Sequence, residues 1–347
     1  MQYLKGQFTG MFRLDRTAVN LTKPTLGIAI VLVALILLST IGTFGFTLAF
    51  GAALAVAFDG GGPRRQRVAA LGTFTVAGAL VTVLGNGVGP SMWGSIAVIF
   101  AVTLVCGLAM AYGAQAGKMA FFINIWMMVS LSLSAALYAP LSLALGFFCG
   151  GGIVMLLRLL PQTGASADNS ADPALHWTLA PLRAHLNLRS PIMHFALSRA
   201  FVAAFAMWLG WALALAHPYW IAMTILIVVV PDRQQAARTS WQRAVGTIIG
   251  VAIGAVVLSI NLPQVTVLLL WLLVTLLMLA LQGVNYVLYA SILTLNLILF
   301  YQLLEADVLF NGMERLVTTL LGIAFALGII VLLGYLAQRT STEPAAG

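Results

Sequence analysis

The sequence predicts an all-α, polytopic membrane protein of about 12 transmembrane helices in two six-helix repeats, and three observations predict it. Apolar residues fill 61% of the 347 positions, charged residues 7%, and the mean hydropathy is +1.03. A soluble domain is about half apolar and a quarter charged. Apolar runs recur from Thr25 to Leu336, many close to the roughly 20 residues that cross about 30 Å of hydrocarbon. Polar landmarks in one half of the chain return in the other. Backbone amides in hydrocarbon must be paired within their own segment, and the runs lack period-two alternation, so helices are expected rather than an outer-membrane barrel.

Read in order at about 20 residues each, spans are expected at 25–43, 45–58, 68–85, 91–112, 119–138, 140–160, 192–216, 218–230, 244–260, 264–282, 284–304 and 312–336. The first run lacks the short apolar core and small-residue cleavage site of a secretory peptide, so it is expected to stay attached as an anchor. Cys106 and Cys149 fall inside predicted helices without metal-type spacing and read as small apolar residues.

Charge sets the expected orientation. A net charge of +8 is compatible with nucleic-acid binding, but Lys and Arg also collect on cytoplasmic flanks of membrane helices, which explains them better. With the N-terminus inside, Lys5, Arg13, Arg16, Lys23, Arg64, Arg65, Arg67, Lys118, Arg158, Arg183, Arg189, Arg199, Arg233, Arg238, Arg243 and Arg339 fall on the cytoplasmic side. Of the 17 basic residues only Arg315 falls outside. Both termini and the central loop are therefore expected in the cytoplasm of a bacterial cell, with the chain in its inner membrane.

The organisation expected is a first membrane repeat over 1–160, a linker over 161–190 and a second repeat over 191–347. The linker is polar at first. It then carries Leu175, Leu179, Leu182 and Leu186 at helical spacing with Arg183 and Arg189, as an interfacial helix lying at the headgroups would, although Pro181 works against the helix. Asp59, Gln66-Arg67 and Gly72-Thr73 in the first half return as Asp232, Gln242-Arg243 and Gly246-Thr247, roughly 175 residues on, each set where the second helix of its half gives way to the third. Within the second half, Arg243, Thr247 and Gly250 share their spacing with Arg315, Thr319 and Gly322, and Tyr219 with Thr224 parallels Tyr289 with Thr294. A true echo there is a three-plus-three inverted repeat; chance similarity of apolar helices is the alternative.

Between His194 and Gly254 stand Arg199-Ala200 within a helix, His217-Pro218-Tyr219-Trp220 at the outer turn, Pro231 at the inner turn, then Gln242-Arg243, Gly246-Thr247 and Gly250. This stretch resembles the fusaric acid resistance and aromatic acid exporter family. The first half lacks a His-Pro-Tyr-Trp turn, so the resemblance covers about one half of the chain. It implies export of aromatic carboxylic acids, in some members with a periplasmic adaptor protein, and a distant likeness to plant channels that pass malate. The short central loop here leaves adaptor coupling with little to rest on.

Arg199 is expected about seven residues, or roughly 10 Å, into its helix, where a charge faces a cavity or partner unless it snorkels to the headgroups. Arg243 and Arg315 each precede a threonine, Thr247 and Thr319, by four residues, so cation and hydroxyl share one face and suit a carboxylate passed from one to the other; anchoring at the membrane flank is the plainer role. Glu314 and Glu305 offer Arg315 simple neutralisation. Asn296, Thr294 and Thr224 supply neutral hydrogen-bonding groups near mid-helix, where transporters bind substrate, with interhelical bonding the commoner use of such threonines. Tyr219 and Trp220 fit interface anchoring, or stacking on an aromatic substrate. Gly246, Gly250 and Gly254 form a strip for close helix packing, within the chain or in a homodimer.

Proton coupling requires an acid or His with access to both sides, and Asp59, Asp232, Glu305, Asp307 and His194 all fall near predicted membrane edges. A channel or facilitator therefore stands beside a proton-driven exporter, and a non-transporting scaffold or assembly factor beside both. The sequence holds no metal-type His cluster, no phosphate loop and no nucleophile with its base. Catalysis, cofactors and nucleic-acid partners are accordingly not expected. The partners expected are a small organic anion and the bilayer.

Overall fold

The computed structural model describes residues 43–59, 63–133, 140–159, 179–188, 190–229, 233–260, 262–281, 284–303 and 308–341. They form helices α1 (Thr43–Phe58), α2 (Arg64–Val88), α3 (Met92–Leu108), α4 (Ala114–Leu133), α5 (Pro140–Leu159), α6 (Leu179–His185), α7 (Pro191–Ala212), α8 (Tyr219–Val228), α9 (Arg233–Ser259), α10 (Gln264–Ala280), α11 (Tyr286–Leu303) and α12 (Val308–Ser341), with no strand among them. The expected first span at 25–43 lies outside the described residues except for its last position.

Local chemistry sets several boundaries. The Ser91 side chain accepts from the Gly94 amide at 3.1 Å and caps α3. A 3-10 turn, Ala109–Tyr112, prolongs α3 and ends at Gly113, whose φ of 99° is a left-handed conformation suited to glycine. Ser190 precedes Pro191 at the start of α7, where a missing amide hydrogen costs nothing. Asn285 Oδ1 accepts from the amides of Val287 and Leu288 and caps α11. Where an interfacial helix was expected the chain forms a short α6 beginning at Leu179, with Leu186 and Leu188 exposed beyond it; Leu175 and Arg189 lie outside the described residues.

Arg64–Val88, Met92–Tyr112, Ala114–Leu133, Pro140–Leu159, Pro191–Ala212 and Gln234–Ser259 are long and apolar enough to cross a membrane. The shorter apolar helices include Tyr219–Val228, Gln264–Ala280 and Tyr286–Phe300. Large apolar side chains such as Leu80, Phe201, Val256 and Leu269 face outward, while Thr82, Thr103, Asn124, Thr247 and Thr294 are buried. That distribution suits lipid as the solvent, and the protein is a multi-pass membrane protein. The one large difference from the expected spans is α9, which starts at Arg233 rather than near 244. Gln, Ala and Arg are good helix formers, so the polar residues from Arg233 to Arg243 extend the helix without contributing hydropathy.

Helices cluster into two compact units divided between Tyr219 and Trp220. The division falls after α7 because Gly107 of α3 lies against Ala196 of α7, which binds α7 to the earlier helices rather than to α8. In the first unit α1 packs on α5, and α2 packs on both α4 and α5. Its interior is filled by rings: Trp126 stacks on Phe147 at 4.6 Å between centroids, and Phe58 on Phe74 at 5.1 Å. In the second unit α9 packs on α11 and α12, and α10 packs on α11.

Candidate functional site

In the second unit the notable buried side chains are cations. Ten residues separate Arg243 from the start of α9, about 15 Å at the helical rise, and the residue is 1% exposed. No carboxylate among the described residues pairs with it, and its Nε, Nη1 and Nη2 are buried without a hydrogen bond of good geometry. The phenols of Tyr286 and Tyr289 on α11 lie within its electrostatic reach. Tyr286 also feels the charge of Arg315.

Arg315 on α12 is equally buried. Its guanidinium carbon stands 5.2 Å from the centroid of the Trp220 ring and Nη2 lies 3.8 Å from the sulfur of Met223, so α8 supplies a cation–π seat and a soft contact. Glu314 is buried on the same turn. Asp232, Glu305 and Asp307, the other acids proposed near this region, lie outside the described residues.

The two threonines paired with these arginines behave unlike their neighbours. Thr75, Thr82, Thr224, Thr275, Thr294 and Thr318 each donate to the carbonyl four residues back, which satisfies the hydroxyl within its own helix. Thr247 and Thr319 are 0% exposed and their hydroxyls form no hydrogen bond. A buried hydroxyl without a partner is expensive. The structure thus places a cation and an unsatisfied hydroxyl four residues apart on each of two adjoining helices.

Other residues singled out by the sequence fall differently. Thr224 and Thr294 spend their hydroxyls on their own helices, and their side chains pack against Gly322 and Gly250. Asn296 bridges to Thr275 of α10 at 2.6 Å. Trp220 is buried beneath Arg315, and Tyr219 is buried with its ring 5.8 Å from that of His217. Gly246 and Gly250 lie against the α11 backbone and Gly254 against Ile298, so α11 covers the glycine strip.

Arg199 belongs to the first unit. It is buried on α7, 5.9 Å from the Phe195 ring centroid. Asp59, a proton-coupling candidate, is buried between Arg67 and Arg158; Arg67 grips it with two nitrogens, and Arg158 Nε lies 2.8 Å from Oδ2. Two cations thus surround one buried carboxylate.

Sequence reasoning missed Tyr286, the seat of Arg315 on Trp220, and the bridge between Thr103 and Asn124 in the first unit, 3.1 Å long, which mirrors that between Thr275 and Asn296. The Asn and Thr of each bridge sit at the same spacing in both halves, a signal present in the sequence from the start. Among the described residues no three His, Cys, Asp or Glu side chains gather as metal ligands would.

Comparison with known proteins adds identity to part of this picture. YhfK of Escherichia coli (strain K12), described as an uncharacterized protein, is 30% identical over 186 residues, which is 53% of this chain and 27% of that protein. The chain therefore spans about a quarter of that relative's length. No solved structure matches it. Residues 202–329, which run from within α7 into α12 and include Arg243, Arg315 and both of their threonines, match the model of the family described as fusaric acid resistance protein-like.

Proposed function

We propose that the chain carries small organic anions across the bacterial inner membrane, aromatic carboxylic acids foremost, through the second unit. The observation behind this reading is Arg243: a guanidinium 1% exposed, without a carboxylate partner among the described residues, beside the unsatisfied hydroxyl of Thr247. A buried cation normally pairs or marks a substrate path. A carboxylate matches its fork bidentately and still accepts from a hydroxyl. The phenols of Tyr286 and Tyr289 add aromatic faces beside the cation. The match of residues 202–329 to the fusaric acid resistance protein-like family supports export as the direction. The first unit, filled by Trp126, Phe147, Phe58 and Phe74, serves as scaffold in this reading.

The two units carry parallel packing, with α2 on α4 and α5 in one and α9 on α11 and α12 in the other, and parallel Asn–Thr bridges. These parallels support two six-helix repeats. The charge distribution supports cytoplasmic termini. A facilitator rather than a proton-coupled carrier is favoured by Asp59, whose place between Arg67 and Arg158 suits a fixed charge. No catalytic role, cofactor, adaptor or second copy is needed for this function.

The test is transport by the purified chain in liposomes with a panel of labelled benzoates and aliphatic acids. Accumulation or release of benzoates faster than in empty vesicles is expected. Failure with every organic anion, together with a stable protein complex recovered from membranes, favours the scaffold instead.

A further inference from the structure

The short segment between α6 and α7 is positioned by the two spans beside it. A Cβ built on Gly107 of α3 would lie 2.6 Å from Ala196 Cβ of α7, and the rings of Phe100 and Phe201 meet edge to face at 4.9 Å. The contact moves back along α3 as it moves forward along α7, so the two helices run antiparallel and α3 ends at the membrane face where α7 begins. Both Met92–Tyr112 and Pro191–Ala212 are long and apolar enough to cross a membrane. Helix α6 packs on the 3-10 turn Ala109–Tyr112 that closes the first span, and residues 186–190 lead into the second. The segment therefore stands at the level where hydrocarbon gives way to headgroups.

Polar contacts close this segment into a turn. His185 Nδ1 lies 2.9 Å from Ser190 Oγ, the Ser190 amide donates to the Asn187 carbonyl at 2.8 Å, and His194 Nε2 of α7 donates to the Leu188 carbonyl. Ser190 is buried, whereas Leu186 is 54% and Leu188 70% exposed, and Arg183 is exposed about one turn before Leu186. A lone exposed leucine on a soluble protein means little. Here the two leucines continue an outward apolar surface formed by Val105 of α3 and Phe201 of α7, which lipid covers. The local charge has one sign. Between Asp172 and Asp232 the sequence contains no acidic residue, while Arg183 and Arg189 flank the leucines. Apolar side chains beside cations at this depth combine insertion into the acyl boundary with attraction to anionic lipid.

We propose that the segment from Arg183 to Leu188 is a docking surface for anionic phospholipid, with Leu186 and Leu188 entering the acyl boundary and Arg183 taking the headgroup phosphate beside them. A guanidinium fork suits that phosphate. Lipid is favoured over a protein partner because the surface lies at the ends of two spans, where lipid is already the neighbour. The site belongs to the first unit and is independent of the anion path proposed for the second. Lipid bound there fixes the depth at which α7 enters the membrane.

The test uses the full chain carrying Cys149→Ser, with a compact apolar fluorophore on Leu188→Cys; Cys106 is buried. Nanodiscs contain brominated phosphatidylglycerol diluted in phosphatidylcholine, or brominated phosphatidylcholine diluted in phosphatidylglycerol. Quenching should report phosphatidylglycerol enriched about fivefold around the probe, the ratio that one arginine near an anionic surface supplies. Arg183→Gln should bring the two lipids close to parity, and Leu186→Asn should reduce quenching by both. Arg183, Leu186 and Leu188 are all exposed, so the variants keep the fold, which equal thermal midpoints verify. Equal quenching by the two lipids, or a preference that survives Arg183→Gln, overturns the proposal. A probe untouched by brominated lipid but open to aqueous iodide faces water and overturns it. A probe shielded from lipid and iodide alike is covered by protein and overturns it too.

Discussion

At the scale of single residues, Arg243 of the second unit and Asp59 of the first are buried charges in opposite circumstances. Arg243 is buried without a carboxylate among the described residues, whereas Asp59 is buried between two arginines. Replacing a buried charge that lacks a partner with an apolar residue of similar length removes a desolvation penalty, while breaking a compensated cluster leaves charge stranded. Arg243→Met is therefore expected to raise the thermal midpoint of the detergent-solubilised protein in buffer free of organic anion, by about 1–3 kcal/mol of stability. Asp59→Asn should lower stability by about 3 kcal/mol, since Arg67 and Arg158 then face each other. Thermal unfolding of both variants beside the wild type checks this, and a destabilised Arg243→Met protein would mean that the guanidinium has a partner of its own. The spacing of Arg243 to Thr247 and of Arg315 to Thr319 was legible because residues four apart share a helix face. Tyr286 beside Arg243, and Trp220 beneath Arg315, were not legible as contacts, since each joins helices far apart in sequence.

At the scale of helices, close approach through glycine sets the architecture. Gly146 of α5 meets Thr47 and the Phe44 carbonyl of α1, Gly250 meets Thr294 and the Ser291 carbonyl, and Gly322 meets Thr224 and the Ile221 carbonyl. In hydrocarbon such small-residue contacts supply much of the association between helices, because apolar burial gains nothing over lipid. Gly250→Val is expected to cost about 1–3 kcal/mol through overpacking against the α11 backbone. Gly152→Ala, where an added Cβ meets nothing within 4 Å, should be neutral or stabilising by up to about 1 kcal/mol, since alanine is the better helix former. Unfolding of both variants in the same detergent measures the contrast, and equal effects would contradict the packing account. The sequence marked Gly246, Gly250 and Gly254 as a packing strip, and α11 covers it. Hydropathy located α1 to α5 and α7 to α12 to within a few turns because burial in lipid is a local property of each segment. It missed the start of α9, since the residues from Arg233 to Arg243 are helical without being apolar.

At the scale of the whole molecule, the first unit is packed with rings and buries Asp59 and Arg199, while the second buries Arg243 and Arg315. In sequence, Asp59, Gln66-Arg67 and Gly72-Thr73 recur at nearly constant offset as Asp232, Gln242-Arg243 and Gly246-Thr247, which is a likeness of pattern. Their divergence was not legible there, because it arises from which side chains meet across helices: Arg67 reaches Asp59, whereas Arg243 is buried without a carboxylate among the described residues. On the proposed reading an anion travels through the second unit, and the most direct measurement is labelled benzoate flux into proteoliposomes carrying the wild type or Arg243→Gln at matched density. The account predicts saturable flux for the wild type and a loss of about tenfold or more for the variant, with both proteins equally folded in the vesicles. Equal flux through both would contradict it.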